Sequence, residues 1–441
     1  MISKIEQRVT KILEMLGERE YQEGFLTKAT AFSRESRQKM SFDEMTLFLL
    51  MDTGKSLSIE LLDFFNKLPG TREIISKQAF SKQRQFINSR LFEDMNNKYV
   101  QEVYDDRRLL FHGRLLVAVD GSTAEIPNVK ELINYYGAAK ASDTSAQNAR
   151  VGLTGFYDPL NHLMLRLVVD KYQKNETKVF IENVAAVKGQ CGVNPVCFLF
   201  DRGYISLALL FELENQGVDY LFRVPSYCYK KEIQSTKSND EYIEIQVTKA
   251  RLKNVEKEEQ EIYLTRKTKR ERLVKVELDT GEIEYLITNI PASDVPYDEM
   301  KAFYYQRWEI ERTFNLLKNR LHIEDIGART PMGVEQEIQA TVFLGNIIED
   351  IIVESNKKLP QREKNKHQYF ININLLCGYV KNYFLLMCFM DEINEAKRMF
   401  HYKRMIDFLR KTTTAKSTGK KNPRNKRVSR NKYKTNNRNS Y

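Results

Sequence analysis

The chain has 441 residues, 42% of them hydrophobic, with 24 Phe and 23 Tyr: enough apolar material for a globular body, and too long for one small core, so two to four structural units are expected. Five cysteines, odd in number and without a Cys-x-x-Cys pair, argue against a disulfide framework or a zinc site and for free thiols in a reducing compartment. With no apolar signal core at the N-terminus and a longest apolar run of only "YFLLMCFM" (383–390), a soluble, intracellular protein without membrane contact is expected.

Residues 1–110 read as a helical region. "SFDEMTLFLLMD" opens with Ser41 as N-cap and an acid three residues on, a capping box. "SIELLDFFNKL" is a second amphipathic segment, closed by Pro69-Gly70. "SKQAFSKQRQFINSRLFEDM" is expected to be one helix from Ser76, with Lys77, Lys82, Arg84 and Gln85 away from its apolar stripe. Such a face suits a helix that reads DNA, or an ordinary surface helix.

From about 111 the periodicity changes. "RLLVAVDGST" is a buried strand; "ARVGLTGFYDP" and "HLMLRLVVDKY" form a hairpin; "NETKVFIENVAAVKG" is a helix. "PVCFLFDRGY" and "VDYLFRVP" are further buried strands around the helix "SLALLFELENQG", which together make a mixed α/β sheet over 111–225. Between 226 and 291, "EYIEIQVTK", "EQEIYLTRK" and "RLVKVELDTGEIEYLITNI" alternate as antiparallel strands, an insertion in the α/β unit. Residues 292–345 return to helix, capped near Ser293, and 346–410 are helical. The last segment, 411–441, holds eleven Lys or Arg and no acid, so it carries the whole net charge of +11. Its composition predicts disorder and non-specific contact with nucleic-acid phosphates, or a merely solubilising terminus.

"YYQRWEIERTFNLLKNRL" (304–321), taken as one continuous helix at about 100° per residue, puts Tyr304, Arg307, Glu311 and Lys318 within an arc of about 60°. A solvated charged face would also explain that. Asp120 and Asp201, however, each end a buried strand, where α/β proteins place ligand chemistry. Three carboxylates with no His or Cys cluster suit Mg²⁺ or Mn²⁺ rather than zinc. Two such ions would clamp the attacking and leaving oxygens of a phosphodiester displacement, with Arg307 and Lys318 on backbone phosphates and Tyr304 donating to one.

Tyr304-x2-Arg307-x3-Glu311-x6-Lys318, with "VDGS" at Asp120 and "FDRGY" at Asp201, resembles the signature of the DDE transposases of bacterial insertion sequences, in the insertion-sequence-four family. The resemblance covers about 111–330. It implies an RNase H-like, retroviral-integrase core with an inserted antiparallel β-sheet, flanked by N- and C-terminal helical regions. It also implies Asp120, Asp201 and Glu311 as catalytic and metal-binding triad, with Tyr304, Arg307 and Lys318 on the transposon end. Arg202, Trp308, Lys82 and Arg84 complete the expected DNA-facing set. The implied activity is Mg²⁺-dependent cleavage and strand transfer on double-stranded DNA, by a homodimer in a synaptic complex, in the bacterial cytoplasm at the nucleoid. A catalytically silent DNA-binding derivative and a metal-dependent nuclease of the same fold share these residues. Some relatives stack a flipped base on a Trp in the inserted sheet; here the only Trp is Trp308, and the insertion offers Tyr227, Tyr229, Tyr242, Tyr263 and Tyr285.

Overall fold

The computed structural model describes residues 4–33, 39–68, 73–140, 147–253, 255–357, 369–390 and 395–415. In chain order the elements are helices α1 (Lys4–Met15), α2 (Arg19–Glu23), α3 (Phe42–Met51), α4 (Leu57–Lys67), α5 (Lys77–Gln83) and α6 (Arg90–Asp106); strand β1 (Leu115–Glu125), α7 (Lys130–Tyr136), β2 (Ala138–Lys140), β3 (Gln147–Asp158), β4 (Leu163–Lys171), α8 (Glu176–Gln190), β5 (Val196–Phe200), α9 (Leu207–Asn215) and β6 (Asp219–Val224). They continue as α10 (Lys230–Ser235), β7 (Asp240–Gln246), α11 (Lys257–Leu264), β8 (Thr268–Glu277), β9 (Ile283–Thr288), α12 (Tyr297–Tyr305), α13 (Glu309–Asn319), α14 (Pro331–Lys357), β10 (Tyr369–Phe370), α15 (Ile373–Tyr379), α16 (Leu385–Phe389), α17 (Glu395–Lys411) and β11 (Thr414–Ala415). Two compact units result: one of residues 1–103, 123–151 and 315–441, the other of 104–122 and 152–314.

The second unit holds most of a nine-stranded sheet. Its order β4-β3-β1-β5-β6, with β1, β5 and β6 parallel and helices α8 and α9 before and after β5, is that of an RNase H-like core. Residues 115–119 and 196–200 are fully apolar because parallel central strands are covered on both faces, and all ten are buried. Asn175 and Ser206 start α8 and α9 by accepting from the amides of Lys178 and Leu209. Beyond β6 the sheet goes on through β9, β8 and β7, all antiparallel. The expected insertion is therefore an extension of the central sheet. One of its expected strands is a helix: most of "EQEIYLTRK" lies in α11, where Glu258 and Glu259 occupy the first turn and favour the positive helix end. Tyr263 of that helix stacks on Phe211 at 4.5 Å.

In the first unit α3 begins with the expected capping box of Ser41 and Glu44. The helix expected from Ser76 is two helices. α5 ends in a 3₁₀ turn (84–86), and Ile87 bridges to Leu26 before α6 begins. Buried groups on α14 organise this unit: Asp350 accepts from Arg8 at 2.8 Å and from the Tyr99 hydroxyl at 2.9 Å. β10 pairs with β11, so order extends to Ala415 in the segment expected to be disordered; the rest of the basic tail, 416–441, lies outside the described residues. No helix among the described residues is long and apolar enough to cross a membrane.

Candidate active site

The register of two parallel strands sets the first pair of carboxylates. Val119 of β1 is the Cα partner of Phe200 of β5, and Asp120 and Asp201 are the next residue on each. Neighbouring strands lie about 4.8 Å apart, so the two acids leave the sheet side by side at its carboxyl end. Asp120 does not end its strand, as the sequence suggested; it ends the buried run, and β1 continues half-buried to Glu125. The Gly121 amide donates to Asp120 at 2.9 Å and the Gly203 amide to Asp201 at 2.8 Å. Burial pushes the Asp120 carboxyl up to about 6. Arg307 and the Gly121 amide oppose that rise, and the negative charges of Asp201 and Glu311 add to it. All three acids therefore share one electrostatic neighbourhood.

The signature segment is not one helix. α12 ends at Tyr305, a 3₁₀ turn spans Gln306–Trp308 and packs on β5, and α13 starts at Glu309. A 3₁₀ turn advances about 120° per residue against about 100° in an α-helix, so three residues rotate the side chains of α13 by roughly 60° relative to those of α12. That rotation brings Arg307, Glu311 and Lys318 to about 340°, 40° and 20° from Tyr304, still within an arc of about 60°, so what separates the four is burial and not direction. Tyr304 points inward, 2% exposed, with a buried hydroxyl that lies near Arg307 without a well-aligned hydrogen bond. Arg307 is 4% exposed, donates to Glu311 at 2.8 Å and lies on the Trp308 ring at 4.5 Å. Its guanidinium holds Glu311 and, being buried, offers no open face to a phosphate. Glu311 is exposed, and so is Trp308. α13 passes close over β3 because residue 155 is glycine: a Cβ there would come within 3.1 Å of Phe314 and 3.3 Å of Ile310.

The remaining expected DNA-facing residues divide. Arg202 is exposed beside Asp201, and Lys82 is exposed on α5. Arg84 is buried, donating to Gln336, Glu337 and the Gly333 carbonyl at 2.8–3.1 Å, and serves the packing of α14. Lys318, half-buried in the first unit, donates to the Thr123 carbonyl at 2.7 Å, and desolvation lowers its ammonium below the usual range. Two residues without an expected role stand beside the acids. Glu176, at the start of α8, lies against Gly121, and Tyr204 buries a hydroxyl without a well-aligned bond next to them. The sequence shows an acid opening α8 and a glycine after Asp120, but nothing in it pairs the two.

Among the described residues, no three His, Cys, Asp or Glu side chains close around a point that would hold an ion. Glu311 is engaged with Arg307 instead. The donor chemistry nevertheless fits a hard divalent cation: carboxylate oxygens only, and an Asp120 whose carboxyl is raised first by burial and further by the charges of Asp201 and Glu311.

Residues 111–347 match the family model described as a transposase DDE domain, more than half of the chain, and the protein belongs to that family. It is 27% identical over 158 residues to InsZ of Escherichia coli (strain K12), a protein designated a transposase; the match covers 35% of this chain and 51% of the relative, so the chain spans about half the length of the curated relative it matches. Among solved structures it is similar to a piggyBac transposase in a synaptic complex with hairpin DNA, at 10% identity, 93% coverage of this chain, 86% of that chain and a TM-score of 0.46.

Proposed function

We propose that this protein is a transposase that cuts DNA at the ends of an insertion sequence and joins the freed 3′ ends to target DNA. The observation that carries this reading is the β1–β5 register, which sets Asp120 beside Asp201, together with the field of Glu311 on the same carboxyl. Asp120, Asp201 and Glu311 would hold Mg²⁺, with Mn²⁺ as substitute. Bound there, the ions supply Lewis-acid stabilisation of the phosphodiester oxygens and lower the pKa of the attacking water or 3′-hydroxyl. Arg307, lying on the Trp308 ring, would hold Glu311 in place, and exposed Arg202 would meet a backbone phosphate next to Asp201. The reading extends to a homodimer on paired transposon ends in the bacterial cytoplasm, and to the basic tail as a non-specific contact with the duplex.

The test uses the full chain, Mg²⁺ and a duplex carrying the DNA that flanks the coding sequence. Asp120→Asn, Asp201→Asn and Glu311→Gln should each reduce strand cleavage by about 1,000-fold or more, equivalent to several kcal/mol of barrier, with gel-shift affinity preserved. Wild-type cleavage by any of the three would overturn the assignment. Cleavage without joined products would reduce the activity to hydrolysis.

A further inference from the structure

We propose that Glu176 is a fourth carboxylate of this metal site, placed to take a divalent cation together with Asp120. The proposal rests on the reading of Asp120, Asp201 and Glu311 as metal ligands. It begins with a glycine. A Cβ built on Gly121 would overlap the Glu176 carboxylate, both oxygens and the carbon between them. The acid thus lies directly on the backbone of the residue next to Asp120. Gly121 has no positive φ, so its small size, not its backbone freedom, is what the position uses.

The second observation is Tyr204, three residues after Asp201 and 3% exposed. Its hydroxyl is buried and makes no aligned hydrogen bond. Burial raises its pKa most and Glu176 comes next, ahead of Asp120 and Asp201, so of the three carboxylates the hydroxyl lies against Glu176. An acid in the first turn of a helix is ordinarily explained by the helix dipole, worth about 0.3–1 kcal/mol. That would account for Glu176 on α8, but not for its seat on Gly121 or for a buried hydroxyl turned toward it without a well-aligned bond. Of the two basic residues equally near Glu176 in the chain, Lys174 is committed to Asp170 at 2.6 Å and Glu182 at 2.8 Å, and Lys178 is exposed. Carboxylates gathered in this way, with hard oxygen donors alone, are suited to a divalent cation. Tyr204 would then orient Glu176 by donating to the oxygen that the cation leaves open.

The test reads metal binding directly, by Mn²⁺ titration of the full-length, metal-free protein monitored by electron paramagnetic resonance. Two Mn²⁺ ions are expected for the wild type. Glu176→Gln should weaken the binding of one by about tenfold or more. Gly121→Ala, which keeps the carboxylate but displaces it, should have the same effect. Gel-shift affinity for DNA should be unchanged in both, and raising Mn²⁺ should restore part of the cleavage lost by Glu176→Gln. Asp120→Asn is measured in parallel. If Asp120→Asn loses Mn²⁺ while Glu176→Gln and Gly121→Ala bind as the wild type does, the role of Glu176 is refuted and the triad stands. If Asp120→Asn also keeps full Mn²⁺ affinity, the triad itself fails. Should Glu176→Gln not fold, Gly121→Ala and the shortened Glu176→Asp decide the matter by the same titration.

Discussion

On β8, in the antiparallel part of the sheet, Arg272 is fully buried and held by both oxygens of Asp240, at 2.8 and 2.6 Å, and by the carbonyls of Ile290 and Val295. Beside it Lys269 pairs with Glu271 and Glu214, and the Tyr220 hydroxyl donates to Glu271 at 2.6 Å. At the carboxyl end of the parallel strands β1 and β5 the polar groups are arranged otherwise. Asp120 is desolvated among like charges, the Tyr204 and Tyr304 hydroxyls are buried with no well-aligned bond, beside Glu176 and Arg307 respectively, and Arg307 leaves its Nε unpaired. Both regions bury charge in one unit. The first satisfies nearly all of it, and the second leaves it ready for a ligand. Buried polar groups are normally paired, so the unpaired ones carry the functional information.

The largest expected effect tests the satisfied region. Arg272→Met fills similar space but strips Asp240 of its partner and leaves two carbonyls without a donor. Unfolding in urea should show a loss of about 3–5 kcal/mol. Cleavage per folded molecule should stay at the wild-type value. A loss under about 1 kcal/mol, or an enzyme that folds normally and no longer cuts, would break the distinction between the two regions.

Arg307 comes next, because it belongs to the region left ready for a ligand although it is buried. Arg307→Ala frees Glu311 from the 2.8 Å bond that turns it. Single-turnover cleavage should fall by about 10–100-fold, the range found when a group that orients a metal ligand is removed. DNA affinity and its salt slope should not change, since the side chain presents no face to a phosphate. A drop in affinity with the cleavage rate of bound DNA intact would return Arg307 to the role of direct DNA contact suggested by the sequence.

Much of this site was legible before the fold. The apolar runs ending in Asp120 and Asp201 predicted buried strands with acids at their ends, and the register makes them neighbours. Periodicity also found α8, α9, β3, β4 and the capping box of α3. What it missed was a change of helix type. The Gln306–Trp308 turn rotates α13 but leaves Tyr304, Arg307, Glu311 and Lys318 near one arc; what spacing alone could not show is that Tyr304 and Arg307 are buried there while Glu311 is exposed. Arg84 misled for a related reason: a basic residue on a short polar stretch reads as exposed, and only the tertiary partners Gln336 and Glu337 show otherwise. Glu176 was hidden because its neighbour in space is a glycine, which leaves no pattern of its own.

A smaller effect, of opposite sign, should come from removing the uncompensated charge itself. The Asp120 carboxyl rises from 3.8 to about 6 on folding, so the folded chain holds that proton more tightly than the unfolded one. The ionised group therefore destabilises the fold above about pH 6, and this cost vanishes below the ordinary value of 3.8. In metal-free buffer Asp120→Asn should be more stable than the wild type by roughly 1–2 kcal/mol at pH 8, and the two should converge as the pH falls to about 4. Destabilisation at pH 8 would mean that Asp120 is a structural acid like Asp240.

The finest distinction is between two buried tyrosine hydroxyls. Tyr220→Phe removes the bond to Glu271 and leaves a carboxylate oxygen short of a donor, at a cost of about 1–3 kcal/mol. Tyr204→Phe removes a hydroxyl with no well-aligned bond, only a close approach to Glu176, so the metal-free protein should change by less than about 0.5 kcal/mol. The order should reverse for function. Phe at 220 leaves Mn²⁺ affinity and cleavage unaltered, whereas Phe at 204 weakens Mn²⁺ binding by removing the donor that lies against Glu176. Equal stability losses from the two substitutions would show that Tyr204 is bonded as firmly as Tyr220, and the contrast between the ends of the sheet would then rest on Asp120 alone.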